Sequence, residues 1–399
     1  MSADDAISPE QLHERIRGGE SVSVLDLRDR DEFETWRIDG PGVDAAQIPE
    51  MRFVQAEING TTAELVEDLG EPIVAVCARG AASDEIAEQL RDAGVDAVNL
   101  AEGMNGWARV YVREAFGADA GDADVYQYRR PASGCLSYMV VSGGEAAVID
   151  PLRAFADRYV EDARDLGADL VAAVDTHVHA DHVSGARALA DAADAEVWLP
   201  AGAKERGLAF DATLYDDGER IAVGDAALEA IHAPGHTSEL CVLQLDAVLF
   251  SGDALFLGGV GRPDLESAAP RAAEGRAAAP RGKGADGARG LAADLYDTLH
   301  ERVLGLPETT LVAPGHYGDA DEAGEDGTFA ARLGDLADRL DALSLDREAF
   351  VEFTVENLPP RPANHERIVA TNLGRDELAD DEAFEVELGP NNCAVADAD

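Results

Sequence analysis

The chain has 399 residues, 46% of them hydrophobic, which is enough apolar material for two or three folded domains. Its formal net charge is −48, from 80 acidic and 32 basic residues, and only Lys204 and Lys283 are lysines. Nucleic acids and anionic membranes are bound through lysine and arginine, so we expect no nucleic-acid partner and no membrane partner.

The acidic residues are spread along the whole chain instead of forming a tail. Such a surface stays hydrated in concentrated salt, and we therefore predict a halophilic source. Residues 1–9 lack the basic and apolar segments of a signal peptide, and no run approaches the roughly twenty apolar residues of a membrane span. The four cysteines are too scattered for a disulfide framework or a CxxC metal site. We therefore expect a cytoplasmic protein in a reducing compartment.

The N-terminal part of the sequence alternates between helical and extended patterns, which indicates a parallel sheet in an α/β domain. The predicted helices cover residues 7–20, 29–36 and 84–93, the last one capped by Ser83, and the predicted strands cover residues 22–27, 72–76 and 95–100.

Cys77 stands at the carboxyl end of the predicted strand 72–76, in a loop that leads into a helix. Backbone N–H groups and the helix dipole stabilise an anion at such a position and lower the pKa of a thiol. We therefore predict that Cys77 is a reactive thiolate and not a buried structural cysteine.

Segments with distinctive sequences surround this cysteine, namely residues 25–28, Glu32-Phe33, residues 77–83 and residues 103–107. Together they resemble a rhodanese domain, which we place at residues 5–114. In that family the loop cysteine carries a persulfide during sulfur transfer, and the resemblance implies this role for Cys77.

The sequence departs from the rhodanese pattern in two places. Ala82 stands where the family has an arginine just before the last serine of the loop, and residues 36–40 replace the usual HIxGA segment. A thiosulfate-type donor needs a cationic anchor, so the first departure argues against such a donor.

Residues 115–122, rich in Gly, Ala and Asp, predict a linker to a second domain. Strands over 135–141 and 146–150 follow, separated by a Gly-Gly turn at 143–144, and residues 155–167 predict an amphipathic helix.

The densest group of polar side chains is the stretch 176–182, which follows the apolar run 170–174. In an extended chain residues two apart point the same way, so His177 and His179 can converge, and Asp181 and His182 follow at the turn into a helix. Three imidazoles and a carboxylate are costly to bury without partners. The stretch therefore predicts a metal site.

Three further ligand-type residues stand at the ends of predicted strands, where α/β folds place their chemistry. They are His236 in a tight turn, Asp253 after an apolar run, and His316 after a second Pro-Gly pair. The remaining histidines lack such settings and are assigned to surface or structural roles (His13, His232, His300 and His365).

These seven separated positions resemble the metallo-β-lactamase superfamily, over about residues 123–345, and we place the domain at residues 123–370. The resemblance implies an αββα sandwich, in which two sheets pack face to face with helices outside and the site lies at one edge. It also implies that Asp150 orients the site without binding the metal.

Two enzymes of this superfamily fit the ligand types. In the glyoxalase II-like thioesterases, all seven groups hold two zinc ions, which activate a bridging water for attack on a thioester. His177, His179 and His236 would take one ion, Asp181, His182 and His316 the other, and Asp253 would bridge them.

In the persulfide dioxygenases, a single Fe(II) is held by the positions that match His177, His236 and Asp253, and three adjacent coordination positions stay open for a persulfide sulfur and O2. The remaining candidates, His179, Asp181, His182 and His316, would then surround the site without binding the ion.

Several features favour the dioxygenase. Residues 258–264 look like that family's GxGRxD segment, with Arg262 and Asp264 at the matching positions, and residues 357–362 with 372–374 resemble the end of fused rhodanese–dioxygenase proteins. The basic helical domain of glyoxalase II is not evident, and a rhodanese module handles the same sulfane sulfur.

We therefore predict a persulfide dioxygenase that oxidises a small-molecule thiol persulfide to sulfite, coupled to a sulfurtransferase module. We predict that Arg262 binds the anionic substrate. Tyr317 either lines the substrate pocket or packs against neighbouring side chains.

The Ala-, Gly-, Pro- and Arg-rich residues 266–290 predict a flexible insertion. It is either a tolerated surface loop or a basic flap that attracts an anionic persulfide. Residues 371–399 are assigned to a C-terminal tail, and a homodimer is the candidate assembly.

Overall fold

The computed structural model of the chain describes residues 5–268, 285–318, 321 and 323–396. It divides into two compact units, the described parts of Met1–Tyr111 with Arg130–Ser133 and of Val112–Arg129 with Gly134–Asp399. Strand pairing of the second unit begins at Val112, so the predicted linker 115–122 is part of that unit and the first domain ends slightly earlier than expected.

The first unit is built on a five-stranded sheet in which every neighbouring pair is parallel, in the order β1-β5-β4-β2-β3, as predicted for an α/β domain. Its strands are β1 (Ala6–Ile7), β2 (Val22–Asp26), β3 (Val43–Gln47), β4 (Ile73–Val76) and β5 (Ala97–Leu100).

Helices fill the connections between these strands. They are α1 (Pro9–Arg17), α2 (Arg30–Thr35), α3 (Glu50–Asn59), α4 (Ala81–Asp92) and α5 (Gly103–Trp107). Helix α1 begins as predicted, because the Ser8 side chain accepts a hydrogen bond from the Gln11 backbone and the Gln11 side chain returns one to the Ser8 backbone. Helix α4 begins at Ala81, two residues before Ser83, so the predicted cap is wrong. The Ser83 hydroxyl donates to Cys77 Sγ instead.

The second unit contains two large sheets and a small one. The first has the order β12-β11-β10-β9-β8-β7-β6, the second β13-β14-β15-β16-β18-β19, and the third pairs β17 with β20. The strands are β6 (Val112–Ala115), β7 (Asp124–Arg130), β8 (Cys135–Ser142), β9 (Glu145–Ile149), β10 (Asp169–Val174), β11 (Glu196–Pro200), β12 (Thr213–Tyr215), β13 (Arg220–Val223), β14 (Ala226–His232), β15 (Cys241–Leu245), β16 (Val248–Gly252), β17 (Gly259–Gly261), β18 (Leu311–Pro314), β19 (Ala331–Arg332) and β20 (Ala394–Ala396).

One apolar core joins the two large sheets, which is the face-to-face sandwich that the sequence predicts. Val140 and Ile149 from the first sheet and Leu243 and Phe250 from the second belong to the same buried cluster, each at most 1% exposed. The helices are α6 (Ala156–Asp165), α7 (Ala186–Ala193), α8 (Leu265–Ala268), α9 (Ala285–Thr298), α10 (Leu333–Arg339), α11 (Arg347–Glu356), α12 (His365–Asn372) and α13 (Asp380–Val386).

Both ends of the predicted insertion 266–290 are helical, because α8 covers residues 265–268 and α9 begins at Ala285. Residues 269–284, with most of the predicted basic flap, lie outside the described residues. The region predicted as a tail, residues 371–399, is largely folded. It contains the end of α12, the whole of α13 and β20, which belong to the second unit, and β20 pairs with β17. None of the helices in the described ranges has the length and apolar character needed to cross a bilayer.

Candidate functional site

All seven predicted donors converge at one edge of the second unit. The segment after β10 carries His177, His179, Asp181 and His182, and the segments after β14, β16 and β18 carry the other three, His236, Asp253 and His316. None of the seven residues is more than 6% exposed. Buried ionisable groups at this density need partners or a metal ion.

Three of the donors form a compact group, His177, His236 and Asp253. Asp253 Oδ2 lies 3.8 Å from His177 Nε2 and 3.5 Å from His236 Nε2. Two atoms that share an ion at about 2.1 Å can be at most about 4.2 Å apart, so these separations fit a common ion. Asp253 Oδ2 and His177 Nε2 are buried without a hydrogen-bond partner, which is the state of atoms that await a ligand. We call these residues the triad.

Hydrogen bonds orient both imidazoles of the triad. The His236 Nδ1–H donates to the backbone carbonyl of Arg262 at 2.9 Å. His177 Nδ1 lies 3.0 Å from the hydroxyl of Thr176, which itself donates to Asp150 and therefore accepts from the ring. Both Nε2 atoms thus carry the lone pair and are free to bind an ion.

A second group lies beside the triad and contains Cys135, Asp181, His182 and His316. Asp181 Oδ2 is its centre, at 3.0 Å from His182 Nδ1, 2.9 Å from His316 Nε2 and 3.4 Å from Cys135 Sγ. His316 also contacts Asp253 Oδ1 through Nδ1 at 2.9 Å. Both nitrogens of His316 therefore face carboxylates, and the ring links the two groups.

The protonation states differ between the two groups. Burial lowers the pKa of His177 and His236, so both rings are neutral, as metal ligands must be. Burial would also lower the pKa of His316, but Asp253 and Asp181 outweigh it and raise that pKa well above the usual value. The pKa of His182 is also raised well above the usual value, because Asp181 outweighs the effect of burial.

The Asp253 carboxyl is ionised in this environment. Burial alone would raise its pKa, but the neighbouring histidines, first His316, hold that pKa far below the usual range. An ionised carboxylate and two neutral imidazoles are the forms that a two-histidine, one-carboxylate metal site requires.

His179 does not join the triad. Its Nε2–H donates to Asp150 Oδ1 at 3.1 Å, and it forms a third buried group with Asp150 and Asp175. Asp150 also accepts from the backbone N–H and the hydroxyl of Thr176. Asp150 therefore holds Thr176 and His179, the residues on either side of the His177–Val178 pair. This contact pattern agrees with the orienting role that the resemblance implies.

Arg262 has a different setting from the one predicted. It is 1% exposed, and its side chain donates to Asp264 and to the carbonyls of Pro359, Pro360 and Asn392. These contacts use all of its N–H donors. The structure therefore offers no free donor for the predicted contact with an anionic substrate, and Arg262 instead ties residues 359–392 to the segment beside His236.

The region assigned to a tail contributes directly to the site. Asn372 donates to the carbonyls of His179 and His182 at 3.0 and 2.9 Å and accepts from the Ser184 N–H at 2.9 Å. Glu387 accepts from the Val183 N–H at 3.0 Å. We call Asn372 and Glu387 the clamp. Sequence reasoning used residues 372–374 only for a family resemblance and missed these contacts.

Tyr317 stacks on Phe329, with ring centres 3.8 Å apart and planes 14° apart. This contact supports the packing alternative for Tyr317.

In the first unit, Cys77 lies where the sequence predicts, directly after β4 and before α4. The thiol is half-buried, and its Sγ accepts from the Gly80 N–H at 3.1 Å and the Ser83 hydroxyl at 3.3 Å. Burial would raise the pKa of Cys77, but the hydrogen bonds from Ser83 and from loop N–H groups lower it overall. The loop therefore stabilises the thiolate.

Comparison with known proteins agrees with this architecture. A family model for the rhodanese-like domain matches residues 8–110, and one for the metallo-beta-lactamase superfamily matches residues 130–316. The mitochondrial persulfide dioxygenase ETHE1 of Homo sapiens is 31% identical over 198 residues, which is 48% of this chain and 66% of that protein. Matches to the bovine and mouse proteins of that name span 59% of their length. The chain thus spans less than two thirds of each of these relatives.

A hydroxyacylglutathione hydrolase of Methylobacillus flagellatus is 31% identical over 232 residues, which is 57% of this chain and 78% of that protein. The crystal structure of ETHE1 from Myxococcus xanthus superposes with a TM-score of 0.50 at 25% identity, over 63% of this chain and 98% of that one. The chain therefore belongs to the metallo-β-lactamase superfamily, and a rhodanese-like domain precedes its metallo-β-lactamase domain.

Proposed function

We propose that the protein is a persulfide dioxygenase that uses one Fe(II) ion and works with a rhodanese sulfurtransferase module. The observation that carries the proposal is the triad, which consists of two imidazoles and one carboxylate and includes buried atoms without a hydrogen-bond partner. This ligand set with open positions is typical of non-haem Fe(II) enzymes that use O2.

The two groups differ in the contacts of their carboxylates. Asp181 Oδ2 already lies 3.0 Å from His182 Nδ1 and 2.9 Å from His316 Nε2. Asp253 Oδ2, in contrast, is buried without a hydrogen-bond partner. This difference supports an ion at the triad.

When bound, Fe(II) at the triad supplies the redox chemistry with O2 that oxidation of a persulfide sulfur to sulfite requires. The protein's own part is to hold that chemistry in place. Arg262 O and Thr176 Oγ1 fix the ring planes of His236 and His177. The clamp fixes the backbone on which His179 and His182 lie, and all seven donors are buried.

Cys77 adds a second activity, the transfer of sulfane sulfur. Its stabilised thiolate can take a sulfur atom from one thiol and pass it to another. Persulfide is the substrate class of both modules, which supports their presence in one chain. The named activity of the ETHE1 relatives supports the same choice.

The alternative is a thioesterase like hydroxyacylglutathione hydrolase, with two zinc ions. The convergence of all seven donors favours it, as does the relative from Methylobacillus flagellatus.

One experiment separates the two functions. The purified chain is analysed for metal content, and O2 uptake is followed with glutathione persulfide while thioester cleavage is followed with S-lactoylglutathione. The proposal expects about one iron per chain and O2 uptake that yields sulfite. Two zinc ions, with thioester cleavage and no O2 uptake, would overturn it.

A further inference from the structure

Cys393 lies beside the triad, although no function has yet been assigned to it. It is 0% exposed, and it forms a group of ligand-type atoms with Asp253 and His316, all within 4.8 Å of one another. Asp253 also belongs to the triad, and its Oδ2 is buried without a partner. The thiol therefore lies beside a carboxylate of the triad, and it donates to the Asn391 carbonyl at 3.5 Å.

The position of Cys393 is fixed from both sides. Its N–H donates to Asn391 Oδ1 at 3.1 Å, and its carbonyl accepts from the Arg262 N–H at 3.0 Å. The guanidinium of Arg262 also donates to the Asn392 carbonyl at 2.8 Å. Just after Cys393, β20 pairs with β17, the strand that leads into Arg262. A buried arginine and a strand pairing thus hold the thiol against the metal-binding edge.

Cys241 shows what a purely structural cysteine looks like in the same domain. It belongs to the apolar core between the sheets, where burial raises its pKa to about 12. Burial, together with the carboxylates of Asp181 and Asp253, also raises the pKa of the Cys393 thiol well above its usual value. Cys393 differs from Cys241 in its neighbours, because it is not part of that core and adjoins an aspartate and a histidine of the candidate site. Core packing therefore does not account for the placement of Cys393.

We propose that Cys393 accepts sulfane sulfur from the persulfide that enters the triad, and is thus a second sulfur-carrying thiol, within the metal-binding domain. The inference rests on the proposed function, since it takes a persulfide to be the molecule that reaches the triad. A terminal sulfur that reaches Asp253 is also within reach of Cys393, because both belong to one group.

The transfer balances without an oxidant or a reductant. The Cys393 sulfur gives up its proton and attacks the terminal sulfur of R–S–S⁻ as the thiolate. An Sγ–S bond forms, and the bond between the two persulfide sulfurs breaks. The carrier leaves as R–S⁻ and takes up the proton that the Cys393 thiol gives up. The products are Cys393–S–S⁻ and R–SH, so the sulfane sulfur only changes its carrier.

The test uses the full, iron-loaded chain under anaerobic conditions, where oxidation cannot consume the persulfide. The chain is treated with glutathione persulfide, freed of excess reagent, alkylated in denaturant, digested and analysed by mass spectrometry. We expect one added sulfur atom on the peptides of Cys77 and Cys393 and none on that of Cys241. Cyanolysis should release about two sulfur atoms per wild-type chain and about one from either Cys77→Ser or Cys393→Ser.

The outcomes distinguish this inference from the proposed function. A Cys393 peptide without added sulfur, in a sample whose Cys77 peptide carries it, would overturn the inference, even if the enzyme takes up O2. Added sulfur on Cys393 without O2 uptake in air would uphold the inference and overturn the dioxygenase. The peptide analysis uses the wild-type chain, so it does not depend on the folding of Cys393→Ser. Cys241→Ala serves as the matched control and should keep both modified peptides.

Discussion

His316 lies between two carboxylates, with its Nδ1 2.9 Å from Asp253 Oδ1 and its Nε2 2.9 Å from Asp181 Oδ2. Its ring therefore links the triad to the second group, and the two carboxylates raise its pKa well above the usual value. We propose that His316 orients Asp253, whose other oxygen, Oδ2, has no hydrogen-bond partner.

Substitutions at the two groups should affect metal binding differently. We expect His177→Ala to abolish iron binding, because it removes a ligand of the triad. His316→Ala should keep one iron per chain with affinity about 10–100-fold weaker, since it removes only an orienting partner of Asp253. Iron content and competition with a chelator measure this difference. His300→Ala, which removes a ring stacked on Tyr296, is the control. Two metal ions in the wild type and one in His316→Ala would point to the thioesterase.

The reactivity of Cys77 should depend on the Ser83 hydroxyl. Alkylation of the native chain by iodoacetamide should reach half its maximal rate below the pH of about 8.5 that marks an ordinary cysteine. The reason is that the thiolate accepts hydrogen bonds from Ser83 and Gly80. Ser83→Ala should move the midpoint upward, and Ser83→Thr, which keeps the hydroxyl, should restore it. Identical profiles for the wild type and Ser83→Ala would contradict this account.

Asn372 should be important for stability. Its side chain satisfies three buried backbone groups of the segment that carries His179 and His182. Asn372→Ala leaves them without partners, and we expect the free energy of unfolding to fall by about 3 kcal/mol in denaturant titrations. Asn357→Ala removes an exposed asparagine and should cost less than about 1 kcal/mol. Equal effects of the two variants would argue against the clamp.

Arg262→Lys distinguishes a structural arginine from one that contacts substrate. Lysine keeps the charge but cannot reproduce the donors that hold Asp264 and three carbonyls. We expect a loss of about 1–3 kcal/mol in unfolding free energy, because buried carbonyls lose their donors while the charge beside Asp264 is kept. A raised KM with unchanged unfolding would instead support a substrate contact.

The acidic surface should make stability depend on salt. With a net charge of −48, repulsion within the chain is long-ranged in dilute buffer, and ions shorten its range from about 10 Å at 0.1 M to about 3 Å at 1 M. We expect the melting temperature to rise by several degrees over that range of KCl. Sucrose at matched osmolality controls for preferential exclusion. Full stability in dilute buffer would contradict the halophilic assignment.

Sequence reasoning identified the features that depend on local patterns. The alternation of strands and helices predicted the parallel sheet of the first unit, and the strand ends predicted where Cys77 and the seven donors stand. It missed β3, whose residues are partly exposed, and α3, in which the large apolar residues Met51, Val54 and Ile58 are exposed.

Contacts between distant segments could not be read from local patterns. Arg262 matched a family segment, yet nothing in its neighbourhood indicated that residues 359–392 would occupy its donors. Cys393 and the clamp were overlooked for the same reason, because their partners lie far away in the chain. Residues 371–399 contain few long apolar runs, so the sequence alone predicts a tail. Their folded state depends on contacts with the segments around His182 and Arg262.

The clamp also sets an order of events during synthesis. Asn372 follows His182 by 190 residues, so at about 5–20 residues per second the ribosome needs roughly 10–40 s to make the segment between them. During that interval the first ligands exist without the backbone contacts that hold their loop. The hydrogen bonds that hold the loop with His179 and His182 can therefore form only after Asn372 has emerged from the ribosome.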